Sequence, residues 1–405
     1  MFKIKMLTLS IALSLLTSSP NFMAKNINSK PFDEGTLLKL DIFRKCFREW
    51  YPVFVHDPFT KYVCVFDMFA GSGYDSAKNQ GSPIILLDEA RGFNRCHCKR
   101  IQSPGYTKQI YFCFNELKKK KFTELQENAK QFLITCQFEN HCASCPILSN
   151  LKLYNKPFQS LISSPVINNI LQRNDTGKFV LMDQYGVKEV TEDIFKMLVS
   201  SPKTDFIFFI SSQTIKRFQE MDAIKNYFDV NKIDFDNSRP EECHRIIKEY
   251  FENFIPSGKE YYLHSFTIQK VSNYYGLIFG TSHSLGMEKF LKACWDEDPL
   301  SGDSNCNIDN DYEVGSLFYD ESQSSRKVKM KQDLREKILA GKIKNNAVGL
   351  KYTLKNGCLP TLFVEVAKEL KQEGKITIKG TFSESAANIH KIKPGSKGYY
   401  EIETV

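Results

Sequence analysis

Apolar runs and amphipathic stretches alternate from residue 34 to residue 295. Short runs rich in phenylalanine and β-branched residues predict strands at 62–67, 110–114, 150–154, 178–183, 205–210, 259–270 and 274–281. Apolar residues at helical spacing predict helices at 34–50, 81–92, 118–132, 158–170, 190–199, 213–228 and 284–295. Pro52 is expected to end the first helix. Alternating strands and helices followed by a hairpin predict an α/β fold, with a doubly wound sheet and an antiparallel edge.

The C-terminal part of the chain has a different pattern. It predicts three helices and two short strands, at 326–341, 345–355, 360–373, 375–378 and 399–402. Three helices followed by a two-stranded hairpin is the order of a winged-helix module. The predicted organisation is therefore an N-terminal extension at 1–32, an α/β domain at 33–300, a polar linker at 301–325 and a winged-helix-like domain at 326–405.

Composition is that of a globular protein, with 42% hydrophobic and 25% charged residues. The net charge of +8 is concentrated at the C-terminus, where 326–405 holds 17 basic and 8 acidic residues and leaves 38 basic and 39 acidic residues elsewhere. A basic unit on a near-neutral body predicts a nucleic-acid contact through 326–405. The alternative is a solvated surface that is rich in lysine.

The first residues have the form of a signal peptide, with two lysines before an apolar run at 7–16 that is too short to span a membrane. Phe22 lies two residues before Ala24, where cleavage requires a small side chain. Residues 1–22 are therefore interpreted as an extension from an upstream start codon in a cytoplasmic protein, with export as the alternative. No later stretch predicts a membrane helix, so no membrane partner is expected.

The loop after the first predicted strand carries the clearest chemistry. Asp67 ends the strand, and Phe69, Ala70, Gly71 and Gly73 follow in a turn of mostly small residues. Such a turn lets the backbone approach a ligand closely. A dinucleotide site ordinarily has a third glycine three residues after the second, which this loop lacks. The pattern fits S-adenosylmethionine, which has no phosphate, at least as well as a dinucleotide.

Two further strand ends carry candidate ligand-binding residues. Glu116 follows the second strand, where an acid accepts hydrogen bonds from ribose hydroxyls, although it is equally placed to serve the first turn of a helix. Asp183, Tyr185 and Gly186 follow the fourth strand. There a carboxylate holds an amine while the aromatic ring stacks on a base. The alternative for this segment is a simple turn at the glycine.

The chain has twelve cysteines, of which Cys96, Cys98, Cys142 and Cys145 have spacing that resembles a zinc knuckle. Only the second pair has the common two-residue gap, so free thiols are favoured and no metal is assigned. His283 opens a predicted helix, where capping and packing are favoured over ligand contact. The sequence shows no Walker loop and no Ser-His-Asp order.

The segments 67–73, 81–84, 183–186 and 279–290 together resemble the three-Cys-motif partner proteins, a bacterial family with a methyltransferase-like domain. The resemblance implies a Rossmann-like, S-adenosylmethionine-dependent methyltransferase fold. It also implies a partner protein that carries the three cysteines for which the family is named. Members usually have Asp-Pro-aromatic-Gly where this chain has Gln184, a departure that weighs against base N-methylation.

Two functions follow from these residues. The first is methyl transfer to a nucleic-acid base, in RNA rather than DNA, with the cofactor held by the loop from Asp67 to Gly73 and by Glu116. Asp183 and Tyr185 would position the acceptor. The second is a methyltransferase-shaped module that docks a partner and nucleic acid without turnover, which Gln184 and the long insertion before Glu116 favour.

Overall fold

The computed structural model describes most of the chain beyond residue 29. The described residues are 30–139, 141, 144–184, 186–225, 227–229, 233, 235, 239–309, 317 and 326–405. Most of the predicted N-terminal extension and residues 310–316 and 318–325 of the predicted linker lie outside them. Among the helices of this described part, none combines the length and the apolar character that crossing a bilayer requires.

A seven-stranded sheet forms the centre of the body. Its strands are β1 (Tyr62–Asp67), β2 (Gln109–Asn115), β3 (Leu151–Tyr154), β4 (Thr176–Met182), β5 (Thr204–Ile210), β6 (Tyr262–Lys270) and β7 (Asn273–Thr281). They are arranged in the order β3-β2-β1-β4-β5-β7-β6. The first five strands pair in parallel, and β7 pairs antiparallel with both β5 and β6. The predicted fold class, a Rossmann-like doubly wound sheet with an antiparallel edge hairpin, is confirmed.

Helices cover both faces of this sheet. They are α1 (Glu34–His56), α2 (Ser82–Glu89), α3 (Cys96–Ile101), α4 (Lys119–Glu139), α5 (Pro146–Ser149), α6 (Phe158–Ile162), α7 (Pro165–Leu171), α8 (Glu192–Ser200), α9 (Ser212–Arg217), α10 (Asp222–Lys225), α11 (Cys243–Glu252) and α12 (Ser284–Glu297). Two buried clusters result, because β1 to β7 direct alternate side chains to opposite faces.

The expectation that Pro52 ends the first helix is wrong. The helix α1 continues past Pro52 to His56. Trp50, Tyr51 and Val55 are all buried on the face of α1 that packs on the sheet. Proline removes one helical hydrogen bond, but burying three large side chains outweighs that loss.

Three other helix boundaries also differ from prediction. The segment 158–170 forms two helices, because Ser164 caps a new one whose first residue is Pro165. The predicted helix 213–228 ends at Arg217. The sequence analysis missed α11, whose apolar residues Ile247, Tyr250 and Phe251 show helical spacing and could have revealed it.

The C-terminal unit has the predicted order of elements. It comprises α13 (Arg326–Leu339), α14 (Asn346–Lys355), α15 (Thr361–Gln372), β8 (Ile376–Gly380) and β9 (Tyr400–Thr404). The strands β8 and β9 pair antiparallel. The unit packs along β6 at the edge of the large sheet, where Trp295 Nε1 donates to Gly357 O at 3.0 Å and Lys351 forms an ion pair with Glu260.

A buried carboxylate joins the C-terminal unit to the body. Asp303 is 2% exposed, and it accepts hydrogen bonds from Arg245 at 2.6 Å and from Arg326 at 2.9 Å. Burial alone would raise the pKa of Asp303, but Arg326 and His244 hold it well below its ordinary value. Since Arg326 begins α13, this carboxylate fixes where the C-terminal unit starts.

We expect Asp303→Asn to destabilise the protein by about 3 kcal/mol or more, because it removes the buried charge that pairs with the half-buried Arg245 and Arg326. Urea denaturation at neutral pH measures the change. The matched control is Asp309→Asn, because Asp309 also accepts from Arg245 but is more exposed. An equal loss in both variants would contradict a special role for Asp303.

Candidate functional site

The order of the large sheet places a crevice at the carboxyl end of β1. From β1 the chain winds to β2 and β3 on one side and to β4 and β5 on the other. In a doubly wound sheet such a switch point is where ligands bind. The last residue of β1, Asp67, lies level with Phe114 of β2 and Leu181 of β4. The loops after these strands therefore meet at one edge.

The loop after β1 is a tight turn held by backbone hydrogen bonds. Gly71 and Gly73 have φ values of +64° and +93°, which favour glycine. Gly81 N donates to Gly73 O at 2.7 Å, and Ala70 N donates to Asn115 O at 2.9 Å. A Cβ atom at Gly73 would lie 3.3 Å from the side chain of Ile84. The predicted glycines are therefore required by the turn itself.

Asp67 is fully buried at the base of this loop. Its Oδ1 accepts a hydrogen bond from Phe69 N at 3.2 Å. Its Oδ2 is also buried and has no hydrogen-bond partner among the described residues. Burial raises the pKa of Asp67 to about 7, and the nearby Asp183 and Glu116 add to that rise, while Ser82 and Phe69 oppose it. Within the described part of the chain, one oxygen of this carboxyl group is therefore left without a partner.

Asp183 follows β4 and is fixed by a lysine from a distant part of the sequence. Lys39 Nζ, on α1, lies 2.5 Å from Asp183 Oδ2. Lys39 is 5% exposed, and its ammonium group lies 4.6 Å from the ring centroid of Phe209. Lys270 interacts electrostatically with both groups, and burial followed by the charge of Lys39 lowers the pKa of Lys270 to about 8. The acid is thus paired with the buried Lys39 and lies in the field of a second, half-buried cation.

Sequence reasoning missed Lys39, because a lysine within a predicted helix is ordinarily a surface residue. One signal was present in the sequence. Lys39 lies four residues before Phe43 and one before Leu40, both on the buried face of α1. A charged residue on an apolar helical face requires a partner, but periodicity alone does not identify which one.

Glu116, the acid after β2, contacts a different group from the one predicted. Glu116 Oε1 accepts from Lys118 N at 2.7 Å, so its carboxylate lies against the start of α4. This contact is the alternative considered for Glu116, an acid that serves the first turn of a helix. The preceding Asn115 links the loops, because its Nδ2 donates to Met68 O at 3.2 Å and to Lys156 O at 3.0 Å.

Gln184 orders the loop after β4. It is buried, and its Oε1 accepts from Glu189 N at 2.9 Å and from Val190 N at 3.3 Å. Gly186 has a φ of +96°, with open space where a side chain would begin. Tyr185, the predicted stacking residue, lies outside the described residues. The turn is therefore stabilised by the side chain of Gln184.

The histidine and the cysteines considered above lie away from this crevice. His283 follows β7 at the opposite edge of the sheet, where its ring contacts His390 of the C-terminal unit. Cys98 and Cys145 line one small cavity with Cys136. Among the described residues, no three His, Cys, Asp or Glu side chains are placed to hold a metal, and Cys142 lies outside them.

No family model and no curated protein matches the chain. Among solved structures, it is similar to Trm1 from Pyrococcus horikoshii, determined with S-adenosyl-L-methionine, at 9% identity and a TM-score of 0.32 over 63% of this chain. The similarity spans 58% of that structure. A putative caffeoyl-CoA O-methyltransferase from Staphylococcus aureus matches at 10% identity and a TM-score of 0.29, over 68% of this chain and 98% of its own. At these values the likeness is to the fold alone.

We expect Asp67→Asn to flatten the dependence of stability on pH. The folded-state pKa of Asp67, about 7, exceeds its ordinary value of 3.8, so the folded protein keeps a proton that the unfolded chain releases. The free energy of unfolding therefore falls as pH rises from about 4 to about 7, by up to about 1.4 kcal/mol per pH unit. Asparagine carries no such proton and removes this fall.

Urea denaturation between pH 4.5 and 7.5 checks this expectation. Burial also raises the pKa of Asp205, to about 6, but Asp205 is present in both proteins, so the difference between them isolates Asp67. Parallel profiles for the wild type and Asp67→Asn would contradict the expectation.

Proposed function

We propose that this protein is an S-adenosylmethionine-dependent methyltransferase that acts on nucleic acid, RNA rather than DNA. The observation that carries the proposal is the buried Oδ2 of Asp67, which has no hydrogen-bond partner among the described residues and lies beside the glycine turn at the switch point of the sheet. S-adenosylmethionine presents a positively charged amine and no phosphate, which suits an acid and a close-approaching backbone. When bound, it would supply an electrophilic methyl group.

Different residues of the loop would contact different parts of the cofactor. Asp67 would accept a hydrogen bond from the amine, and a cation beside it would favour its ionised form. Phe69, Ala70, Gly71 and Gly73 would lie against the amino-acid and ribose portions. Glu116, whose Oε1 accepts from Lys118 N, would offer its other carboxylate oxygen to the ribose.

Asp183 would position the acceptor. Its pairing with Lys39 fixes the carboxylate, and one edge remains for the N–H group of a base. In transfer to an amine, a nitrogen–methyl bond would form as the methyl–sulfur bond of the cofactor breaks and leaves a neutral thioether, and the nitrogen would lose a proton that Asp183 can accept. Holding the acceptor in line supplies most of the rate. Tyr185 would stack on the base, and Gly186 would leave room for it.

The C-terminal unit would supply a nucleic-acid contact in the manner of a winged helix. Lys391, Lys393 and Lys397 lie between β8 and β9, where a wing is expected, and form no ion pair within the described part of the chain. The resemblance to the three-Cys-motif partner proteins adds a partner protein to the proposal. We place the protein in the cytoplasm, where the cofactor is made.

The second candidate is a binding module of the same fold that docks its partner and nucleic acid without turnover. The position of Gln184 favours it. Its side chain is committed to Glu189 N and Val190 N, and it replaces the proline of the amine-methylating loop. The two candidates share the cofactor site and differ in whether a methyl group is transferred.

We expect the wild type to bind S-adenosylmethionine and Gly71→Arg to lose that binding, because the long side chain would fill the crevice. Isothermal titration measures both. The matched control is Gly105→Arg, a glycine of similar φ, +81°, in the loop before β2, where an added Cβ has open space. No heat with the wild type, or equal losses in both variants, would contradict the cofactor proposal.

We expect the wild type to transfer a tritiated methyl group from S-adenosylmethionine to total cellular RNA. Asp183→Asn should lower the rate about 100-fold or more while cofactor affinity stays within a few-fold, because the acid acts on the acceptor. The control is Asp175→Asn, at the opposite end of β4, where Asp175 pairs with Arg173. Cofactor binding without transfer to RNA, DNA or the partner would favour the binding module.

A further inference from the structure

Lysines surround the carboxyl end of the sheet beside the proposed site. Lys118–Lys121 come just after Glu116 and Leu117, and Lys119–Lys121 open α4. Lys156 lies on the loop after β3, and Lys188 lies on the loop after β4. All of these are exposed except Lys121, which is half-buried. We call Lys118–Lys121, Lys156 and Lys188 the lysine rim.

Contacts between the loops make this rim continuous. Asn115 Nδ2 bridges the loop after β1 and the loop of Lys156, through Lys156 O at 3.0 Å. Phe69 and Phe158 are in ring contact at 4.9 Å. Gln159 Nε2 donates to Glu189 O at 2.7 Å, which brings the loop of Lys188 against the start of α6. The lysines therefore border one opening.

Lys118–Lys121, at and just before the start of α4, lie where positive charge is ordinarily disfavoured. A helix N-terminus carries partial positive charge, so acids are favoured there and cations are disfavoured. The first turn of α4 contains no acid. Lys121 interacts electrostatically with both Glu116 and Asp183, so this end of α4 faces the proposed acceptor site. An arrangement that costs helix stability beside a crevice indicates a function.

Several basic residues of the C-terminal unit form ion pairs, whereas four lysines of the rim do not within the described residues. There Lys331 pairs with Glu365, and Arg335 pairs with Glu373. Within the described residues, by contrast, Lys119, Lys120, Lys156 and Lys188 form no ion pair. Their charges remain directed at solvent beside the opening.

We propose that the lysine rim binds the phosphate backbone of a nucleic acid and so holds the acceptor base over Asp183. The proposal rests on the proposed function for the identity of the acceptor. The four exposed rim lysines that form no ion pair within the described residues suit a chain of phosphates, which displaces counterions on binding. The half-buried Phe69 and the exposed Leu117 offer apolar surface to an unstacked base at the same opening.

The test compares Lys119→Gln/Lys120→Gln with Lys61→Gln/Lys130→Gln in the full chain. The control removes the same charge from exposed lysines before β1 and further along α4. Binding of a fluorescein-labelled, 20-nucleotide single-stranded RNA is measured by polarisation across a salt series. We expect the slope of log affinity against log salt to fall by about 1.4 in the rim variant, since each lost phosphate contact removes about 0.7. The control should match the wild type.

A second variant separates binding from folding. Lys119→Glu/Lys120→Glu should keep or raise the melting temperature, because acids suit a helix N-terminus, and should weaken RNA binding by about tenfold or more. Lower stability with unchanged RNA affinity would overturn the proposal.

The remaining outcomes also decide the proposal. Equal slopes in the rim and control variants would overturn it. A loss of RNA affinity that occurs only in the triple variant Lys391→Gln/Lys393→Gln/Lys397→Gln would overturn it too. Displacement of the RNA by polyglutamate at equal charge would assign the rim to an acidic protein instead. S-adenosylmethionine is titrated into every variant. A wild type that does not bind it contradicts the proposed function alone, because the RNA slopes are measured without cofactor.

Discussion

The packing of α1 across the sheet is the interaction on which both the fold and the site depend. Phe47 of α1 meets Phe112 of β2 and Phe179 of β4 at ring-centroid distances of 6.4 and 5.4 Å, so one helix spans the switch point. That packing carries the helix through Pro52. It also sets the position of Lys39, two turns earlier, opposite Asp183. The Asp183 side of the crevice is therefore built by a helix that precedes the first strand.

The sequence predicted what depends on local pattern. Strand positions followed from buried runs, and the glycine turn followed from Gly71 and Gly73, whose backbone conformations exclude most other residues. The pairing of Lys39 with Asp183 joins residues 144 positions apart, and no periodicity reports such a contact. Pro52 was misjudged for a similar reason, because tertiary burial overrides local propensity.

Two acids, Asp67 and Asp183, lie at the carboxyl edge of the sheet. Asp67 is held in a position that favours its protonated form, while Asp183 is neutralised by Lys39. Two acids at neighbouring strand ends thus have opposite surroundings, and this difference suits different tasks. An acid without a partner is suited to a cationic ligand. An acid with a fixed cation is suited to orienting a neutral group, because its charge is already compensated.

The two basic surfaces lie at opposite ends of the sheet, and this separation bears on the acceptor. The C-terminal unit packs along β6, whereas the rim begins after β2, five strand positions away. Strands are spaced about 4.8 Å apart, so the surfaces are separated by at least roughly 24 Å. A duplex advances about 3.4 Å per base pair, so a nucleic acid that touches both must span at least about seven base pairs. A free nucleotide can reach one surface only, so under the proposed function the acceptor that uses both surfaces would be a polynucleotide.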